Sequence, residues 1–579
     1  MSVNEKQRAV FDPILGMLET VINGNAAAIL AEEGAIGLAL TNPIRQGLPE
    51  HRSRAAQFSL IHRAIEHGEV LFQQSCTGLP KEVVMAIARR APASFLDGAD
   101  LLLATLIVKH TAPDEGRSWS MKAGDEYALA LLVTPEEIGT VCRLISIAKT
   151  MNHLRGMARW LGKGGKLILE KDGTLRVQQP AEVTEAVNAY DRRRVHGRLF
   201  DGAGFFSPQP DPAKWTQYRI PALLDLHGAR MIEAPVGSDR WISFERWPTM
   251  VDGGGLANLL RAYETPLLET YGVGADPILH FLTALAVLIH DNSPGILGSA
   301  DRLAFRAEAS PEATEHKIGF AFGIARKGFI RFPRGELIHN VGRVRTPLAP
   351  DQAMGEALGA AFIDAFLLPS ETTGNIDAIA ASQVPFLHAS TGDHLYIDVL
   401  LIGEFLNGLI EKAKSWYASQ HGDRFLLDLK RWLDEVAPGA IVGARRPVKL
   451  ENGAQSDIDL LARDATGLVV VECKAYAKSK AFLVGAPTAI AQRRRRIAAA
   501  VAQARRTAQA FAQEVTAGRT EFAAETPVRA MVCSPSTEFL LPLDEHGMAA
   551  PEIPNVLTPE DLLEVLAYSA KCQVPSDKC

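Results

Sequence analysis

Asp457-Ile458-Asp459-Leu460-Leu461-Ala462, then the turn Arg463-Asp464-Ala465-Thr466-Gly467, then Leu468-Val469-Val470-Val471-Glu472-Cys473-Lys474, reads as a β-hairpin. Side chains alternate along a strand, so Asp457 and Asp459 point one way and Ile458 and Leu460 the other. Glu472 and Lys474 likewise share a face, with Val471 and Cys473 on the opposite one. Pairing the two strands brings Asp459, Glu472 and Lys474 together. Two carboxylates held close in a partly buried place repel, and one must protonate unless a cation intervenes. An oxygen-only ligand set suits Mg2+ or Mn2+ better than zinc, and such an ion keeps waters that can attack phosphorus.

The flanking sequence extends this hairpin into a unit. Upstream, Phe425, Leu426, Leu429, Trp432, Leu433 and Val436 recur at helical spacing and give the segment Asp423 to Val436 one buried face. A strand-like run, Ala440 to Leu450, comes next. Downstream, Gln492-Arg493-Arg494-Arg495-Arg496 opens a long helix that continues through Gln503, Arg505 and Arg506. Val528 to Cys533 is another strand, and Thr558-Pro559-Glu560-Asp561 caps a last helix, Leu562 to Ala567. The order is αβββαβα.

Asp457-Ile458-Asp459-Leu460-Leu461 with Val470-Val471-Glu472-Cys473-Lys474, in that order of elements, resembles the PD-(D/E)xK nuclease superfamily, with Mrr-type restriction endonuclease domains as the nearest group. The likeness covers about residues 415 to 570. It implies a restriction-endonuclease-like domain in which Asp459 and Glu472 ligate the metal, the Cys473 backbone carbonyl assists, and Lys474 is the catalytic lysine. The family places its ligand directly before the two leucines, which selects Asp459 over Asp457. Related domains often carry Gly-x-x-Phe-Glu in the preceding helix, whereas Gly422-Asp423-Arg424-Phe425 is followed here by Leu426. Neither Asp423 nor Asp428 fills that slot.

Between Arg445 and Arg506, thirteen Lys or Arg oppose five acids, a local balance of +8 in a chain whose net charge is -6. A polyanion site must therefore be a patch, since the global charge does not suit non-specific coating of nucleic acid. Lys478, Lys480, Arg493, Arg494, Arg495 and Arg496 are the expected phosphate contacts. The competing reading of the four-arginine run is a solvated helix face or a clamp on acidic residues of the large N-terminal region.

The remaining 412 residues are expected to be mainly helical. Thr134-Pro135-Glu136-Glu137 is a helix start, and residues 166–178 form a hairpin around Asp172-Gly173. Three prolines in Ser207 to Pro212 put a soft boundary near 210. This divides the chain into a helical region 1–210, a helical middle region 211–412 that includes the apolar stretch Tyr396 to Leu409, and the nuclease-like unit 413–579. Gly253-Gly254-Gly255 and Gly162-Lys163-Gly164-Gly165-Lys166 complete neither GxxxxGK[ST] nor GxGxxG and read as turns. The fifteen histidines contain no HExxH, and His280 and His290 receive no role.

With 579 residues, 47% of them hydrophobic and 22% charged, the chain has the composition of a folded multi-core protein. Six cysteines without a CxxC pair argue against zinc and against a disulfide framework. The apolar run Ile278 to Ile289 is shorter than the ~20 residues that cross a bilayer. No secretory signal is visible, and the expected location is the cytoplasm. The expected function is Mg-dependent cleavage of DNA, as in restriction or phage defence, with residues 1–412 recognising a substrate, a protein partner or a second copy, or sensing a trigger. RNA cleavage and a nuclease-like module that binds without cutting are the alternatives.

Overall fold

The computed structural model describes residues 24–112, 133–194, 253–291, 330–369 and 383–571, short gaps at 90, 92, 391, 420–421, 477, 542–547 and 551–552 apart. It also describes four short strands between 223 and 251 and positions 18, 20, 21 and 376. The boundary near 210 and its prolines lie outside the described residues. The chain is a mixed α/β protein whose C-terminal part holds a mixed five-stranded sheet.

Among the described residues the N-terminal region is built from α1 (Ala26–Gly47), α2 (Arg54–Ser75), α3 (Lys81–Ala88), α4 (Asp100–His110), α5 (Pro135–Gly162) and α6 (Ala181–Arg193), with one further helical turn at Ala93–Leu96. Helix α5 starts with the reciprocal hydrogen bonds of a capping box, Glu137 N–H to the Thr134 hydroxyl and Thr134 N–H to the Glu137 carboxylate, with Pro135 in the first turn. Its 28 residues form the spine of a core that includes Ile61, Phe72, Met85, Leu103, Ile145 and Leu154. Strands β1 (Lys166–Leu169) and β2 (Leu175–Gln178) pair antiparallel around Gly173, whose φ of 84° is the left-handed turn conformation that glycine adopts without steric cost.

The middle region is mainly helical and adds a small sheet that its sequence pattern did not show. It contains helices α7 (Gly253–Ala262), α8 (Glu264–Tyr271), α9 (Ala275–Asp291), α10 (Arg334–Arg343), α11 (Gln352–Phe366) and α12 (Ile402–Trp416). It also contains a three-stranded antiparallel sheet of β3 (Ile330–Pro333), β4 (Leu387–Ala389) and β5 (His394–Ile397). The stretch Tyr396 to Leu409 divides between β5, a 3-10 turn and α12, because a short apolar run carries no period that separates strand from buried helix. The triple glycine at 253 opens α7 rather than forming a separate turn.

In the C-terminal unit the order is α13 (Gly422–Val436), β6 (Ile441–Lys449), β7 (Gln455–Asp464), β8 (Gly467–Cys473), the long helix α14 (Pro487–Thr516), β9 (Val528–Cys533), β10 (Val556–Leu557) and α15 (Pro559–Lys571). The sheet runs β6-β7-β8-β9-β10, antiparallel up to β8 and parallel beyond it, since α14 carries the chain back before β9. One face packs on α13 and α15 through Leu460, Val469, Val471, Met531 and Trp432. The other lies under α14, with Leu461, Val470 and Phe511 in one cluster and Ile497, Ala500 and Val532 in another.

No gap in packing marks residue 412. Phe281, Phe362, Phe386 and Phe405 of the middle region belong to the same core as Phe425, Leu429 and Trp432. The N-terminal region joins the C-terminal unit through α6, where Val183, Val187 and Tyr190 meet Ile490 and Phe539. At the end of that helix, Arg193 donates to the Asp561 carboxylate and to the Val556 carbonyl, both at 2.7 Å.

Lys163 sits in this junction, its ammonium 4.3 Å from the Tyr190 ring centroid and 3.9 Å from Asp191. Burial pulls its pKa down to about 7, Arg159, Arg194 and Lys478 add repulsion, and Asp191 offsets part of it. The folded state thus binds fewer protons than the unfolded chain between about pH 7 and the ordinary lysine value. The resulting cost is full below that window and vanishes above it. Lys163→Met is expected to raise the thermal midpoint near pH 7, with the gain shrinking to nothing as pH approaches the ordinary lysine value. A melt in which Lys163→Met lowers stability at pH 7 contradicts this.

Candidate active site

The β7–β8 hairpin places the three expected residues. Its register ends with Leu460 opposite Val471, so Asp459 and Glu472 are the next two residues facing across the ladder. Asp459 Oδ2 accepts a hydrogen bond from the Cys473 amide at 2.8 Å, and Lys474 Nζ lies 2.5 Å from Glu472 Oε1. Lys474 also donates its backbone N–H to the Cys533 carbonyl, which pins the end of β8 to β9. Glu472 is the registered neighbour of Val532, a residue packed beneath α14, so the carboxylate shares that side of the sheet.

The simple alternation expected for β7 breaks at Asp459. Ile458 packs toward α14 and Leu460 toward α13, although two residues that far apart in a regular strand share a face. Registered partners pass from Ala444 opposite Leu460 to Arg446 opposite Ile458, skipping Arg445 and Asp459. Arg445 has φ 50°, a left-handed conformation that is uncommon for a residue with a Cβ. Local irregularities of this kind re-aim a side chain, and here the one re-aimed is a candidate ligand. Asp457, by contrast, is exposed.

Burial raises the pKa of both carboxyl groups. At Asp459 the Cys473 amide and Lys474 offset part of that effect while Asp457 adds to it; at Glu472 the Lys474 bond lowers the value and Asp459 raises it. Lys474 is held above the ordinary lysine value, since the carboxylates of Glu472 and Asp459 more than compensate for its burial. Glu472 is 2% exposed, and its Oε2 has no hydrogen-bond partner among the described residues. A buried carboxylate oxygen left without a donor is costly unless something cationic completes it.

Two carboxylates with an unpartnered oxygen fit an ion that takes one or two protein oxygens and keeps its waters, as magnesium does. Among the described residues no group of three or more His, Cys, Asp or Glu is arranged to hold a metal. The position at which the resemblance leads one to expect a helix glutamate holds Leu426, which is buried. Asp428 is committed elsewhere: Tyr417 and Arg424 donate to its Oδ2, and Arg431 lies 3.1 Å from its Oδ1. Asp423 is exposed, 3.5 Å from Arg445.

The six expected phosphate-contacting cations separate into two groups. Lys478 is buried against Glu411 at 3.2 Å, and Arg493 is buried in a two-pronged pair with Glu538 at 2.9 and 2.5 Å. The expectation that these two face a polyanion is therefore corrected, since their charges are neutralised inside the fold. Arg493 falls in the same helical stripe as Ile490, Ile497, Ala500 and Ala504, so the rotation of the helix turns it inward. Lys480, Arg495 and Arg496 are exposed, and Arg494 is half-buried. Sequence reading missed Glu411 and Glu538, because acids that neutralise a cation across 67 or 45 residues leave no local pattern.

No protein-family profile matches the chain, and neither does any curated protein or solved structure.

Proposed function

We propose that the C-terminal unit is a PD-(D/E)xK-type nuclease that hydrolyses DNA phosphodiester bonds with Mg2+ or Mn2+. The observation that carries this reading is the meeting of Asp459, Glu472 and Lys474 at one end of the β7–β8 hairpin, with a Glu472 oxygen left unpartnered. The succession α13, β6 to β8, α14, β9, β10, α15, which adds the short strand β10 to the expected αβββαβα order, and the mixed five-stranded sheet support it.

When bound, the metal would supply Lewis acidity and an activated water. Asp459 and Glu472 would hold it, with the Cys473 carbonyl as a further oxygen. The Cys473 amide fixes the Asp459 carboxylate in orientation. Lys474, kept protonated by its two acidic neighbours, acts as a charge rather than as a proton acceptor: it aligns the attacking water and balances the negative charge that grows on the phosphoryl oxygens. Water adds to phosphorus, the bridging P–O bond breaks, and the proton that the water gives up ends, through solvent, on the leaving oxygen, which departs as a hydroxyl.

The expected result is nicking or linearisation of plasmid DNA by the purified full chain with Mg2+ or Mn2+, and none with chelator. Intact plasmid, linear DNA and RNA with either metal would overturn the reading. That outcome would favour a module that binds without cutting, for which the buried Leu426 in the glutamate slot is the supporting observation.

A further inference from the structure

From Cys473 through Gln513 the chain holds nine Lys or Arg and no Asp or Glu. Most of that stretch is α14, whose inner face is defined by Ile490, Arg493, Ile497, Ala500, Ala504, Ala508 and Phe511. At 100° per residue the opposite face carries Arg495, Ala499, Ala502 and Arg506, all exposed, and exposed Arg496 lies about a quarter-turn to one side of them. Arg495 and Arg506 project along nearly the same direction and stand eleven residues apart, about 16 Å along the axis. Between them lies a floor of alanine, which lets a flat or convex partner approach the helix backbone. Val532, the registered neighbour of Glu472, packs on Ile497 and Ala500. Helix α14 therefore covers the part of the sheet that carries the candidate site, with the stripe on its solvent side.

We infer that this outer face of α14 is a binding surface for the backbone of double-helical DNA, with Arg495 and Arg496 on phosphates of one strand and Arg506 on the other. This rests on the nuclease reading for its biological use but not for its test. Long arginine side chains about 16 Å apart reach both walls of a groove about 12 Å wide. A single strand is a poorer fit, because such strands are held by exposed aromatic rings as well as charge, and none lies on this stripe. Tyr476 and Phe482 are half-buried and lie beside the inward-facing guanidinium of Arg493, which is 5.7 and 5.9 Å from their ring centroids. The stripe is bounded at its far end by Glu451, which accepts from Gln509 and Gln513.

The test is fluorescence anisotropy of the full chain in chelator, so that cleavage plays no part. The probes are a short duplex DNA, the same sequence as a single strand, the same sequence as duplex RNA, and poly-glutamate. Duplex DNA is expected to bind tightest. The triple variant Arg495→Ala, Arg496→Ala, Arg506→Ala should bind it at least about tenfold more weakly. Its plot of log affinity against log salt should be shallower by nearly three, at about 0.9 per lost phosphate contact. The corresponding triple lysine variant should keep most of the salt slope. Unchanged affinity and slope in the alanine variant, or equal or tighter binding of any other probe, overturns the inference. Failure of the cleavage assay with duplex binding intact would overturn only the nuclease reading.

Discussion

Glu472→Gln is expected to abolish DNA cleavage, and Lys474→Ala to lower its rate by at least about 10²–10³, the range typical of removing one transition-state charge partner. Glutamine matches glutamate in shape, so the hairpin survives and the repulsion with Asp459 disappears. The thermal midpoint in chelator should therefore hold or rise. In wild type, saturating Mg2+ should raise that midpoint, because a ligand that binds only the folded state stabilises it by mass action. The Glu472→Gln variant should lose most of that increment. Three readouts thus move in different directions: activity falls, stability without metal does not, and the metal-dependent increment shrinks. Full cleavage by both purified variants would end the proposed assignment. A collapse of Glu472→Gln in chelator would instead mark Glu472 as a structural acid whose role is its pair with Lys474.

The largest effect on stability is expected at Gly162, the last residue of α5. A Cβ there would fall within the van der Waals shell of the Gly485 carbonyl oxygen. The loop cannot retreat easily: Gly485 has φ 90°, and a Cβ on it would stand 2.9 Å from Arg159 Cα. The N-terminal region and the C-terminal unit thus touch backbone to backbone at a pair of glycines. Gly162→Ala should destabilise by about 3 kcal/mol or more, at the upper end of the range for overpacking a rigid contact. Gly156→Ala in the same helix meets nothing within 4 Å and should gain up to about 1 kcal/mol from helix propensity. Chemical denaturation of the two variants side by side checks the opposite signs. Equal midpoints would show that the crossing yields freely.

The hairpin, the amphipathic helix before it and the basic helix after it were legible in the sequence because each rests on local periodicity. A helix returns every 3.6 residues, so Phe425 to Val436 declares itself by its period, and Val469 to Val471 reads as a strand buried on both faces by its short β-branched run. The capping box at Thr134 and the Asp172-Gly173 turn are local for the same reason: their partners lie within three residues. The grouping of Asp459, Glu472 and Lys474 needed one further step, the pairing of two adjacent strands across a short turn.

What lay beyond reach involved distance along the chain. The small sheet of the middle region joins Phe332 to Leu395, a pairing across more than sixty residues, and its strands are too short to show alternation. The break in the pleat at Asp459 is set by the neighbouring strand, where Arg445 takes its left-handed conformation. Arg493 and Arg495 look equivalent in a run of four arginines. Two residues of helical rotation separate them, and only the docking of α14 on the sheet decides which is buried against Glu538 and which meets solvent.

The amino-acid order alone determined the local elements and the identity of the three charged residues that the hairpin gathers, since hydrogen-bond geometry and side-chain periodicity act over a few residues. Tertiary packing decided which cations remain available, where the helix-to-loop crossing permits no side chain, and that one core runs through position 412. Burial and charge neutralisation are properties of surfaces brought together from distant segments, and a linear pattern does not carry them.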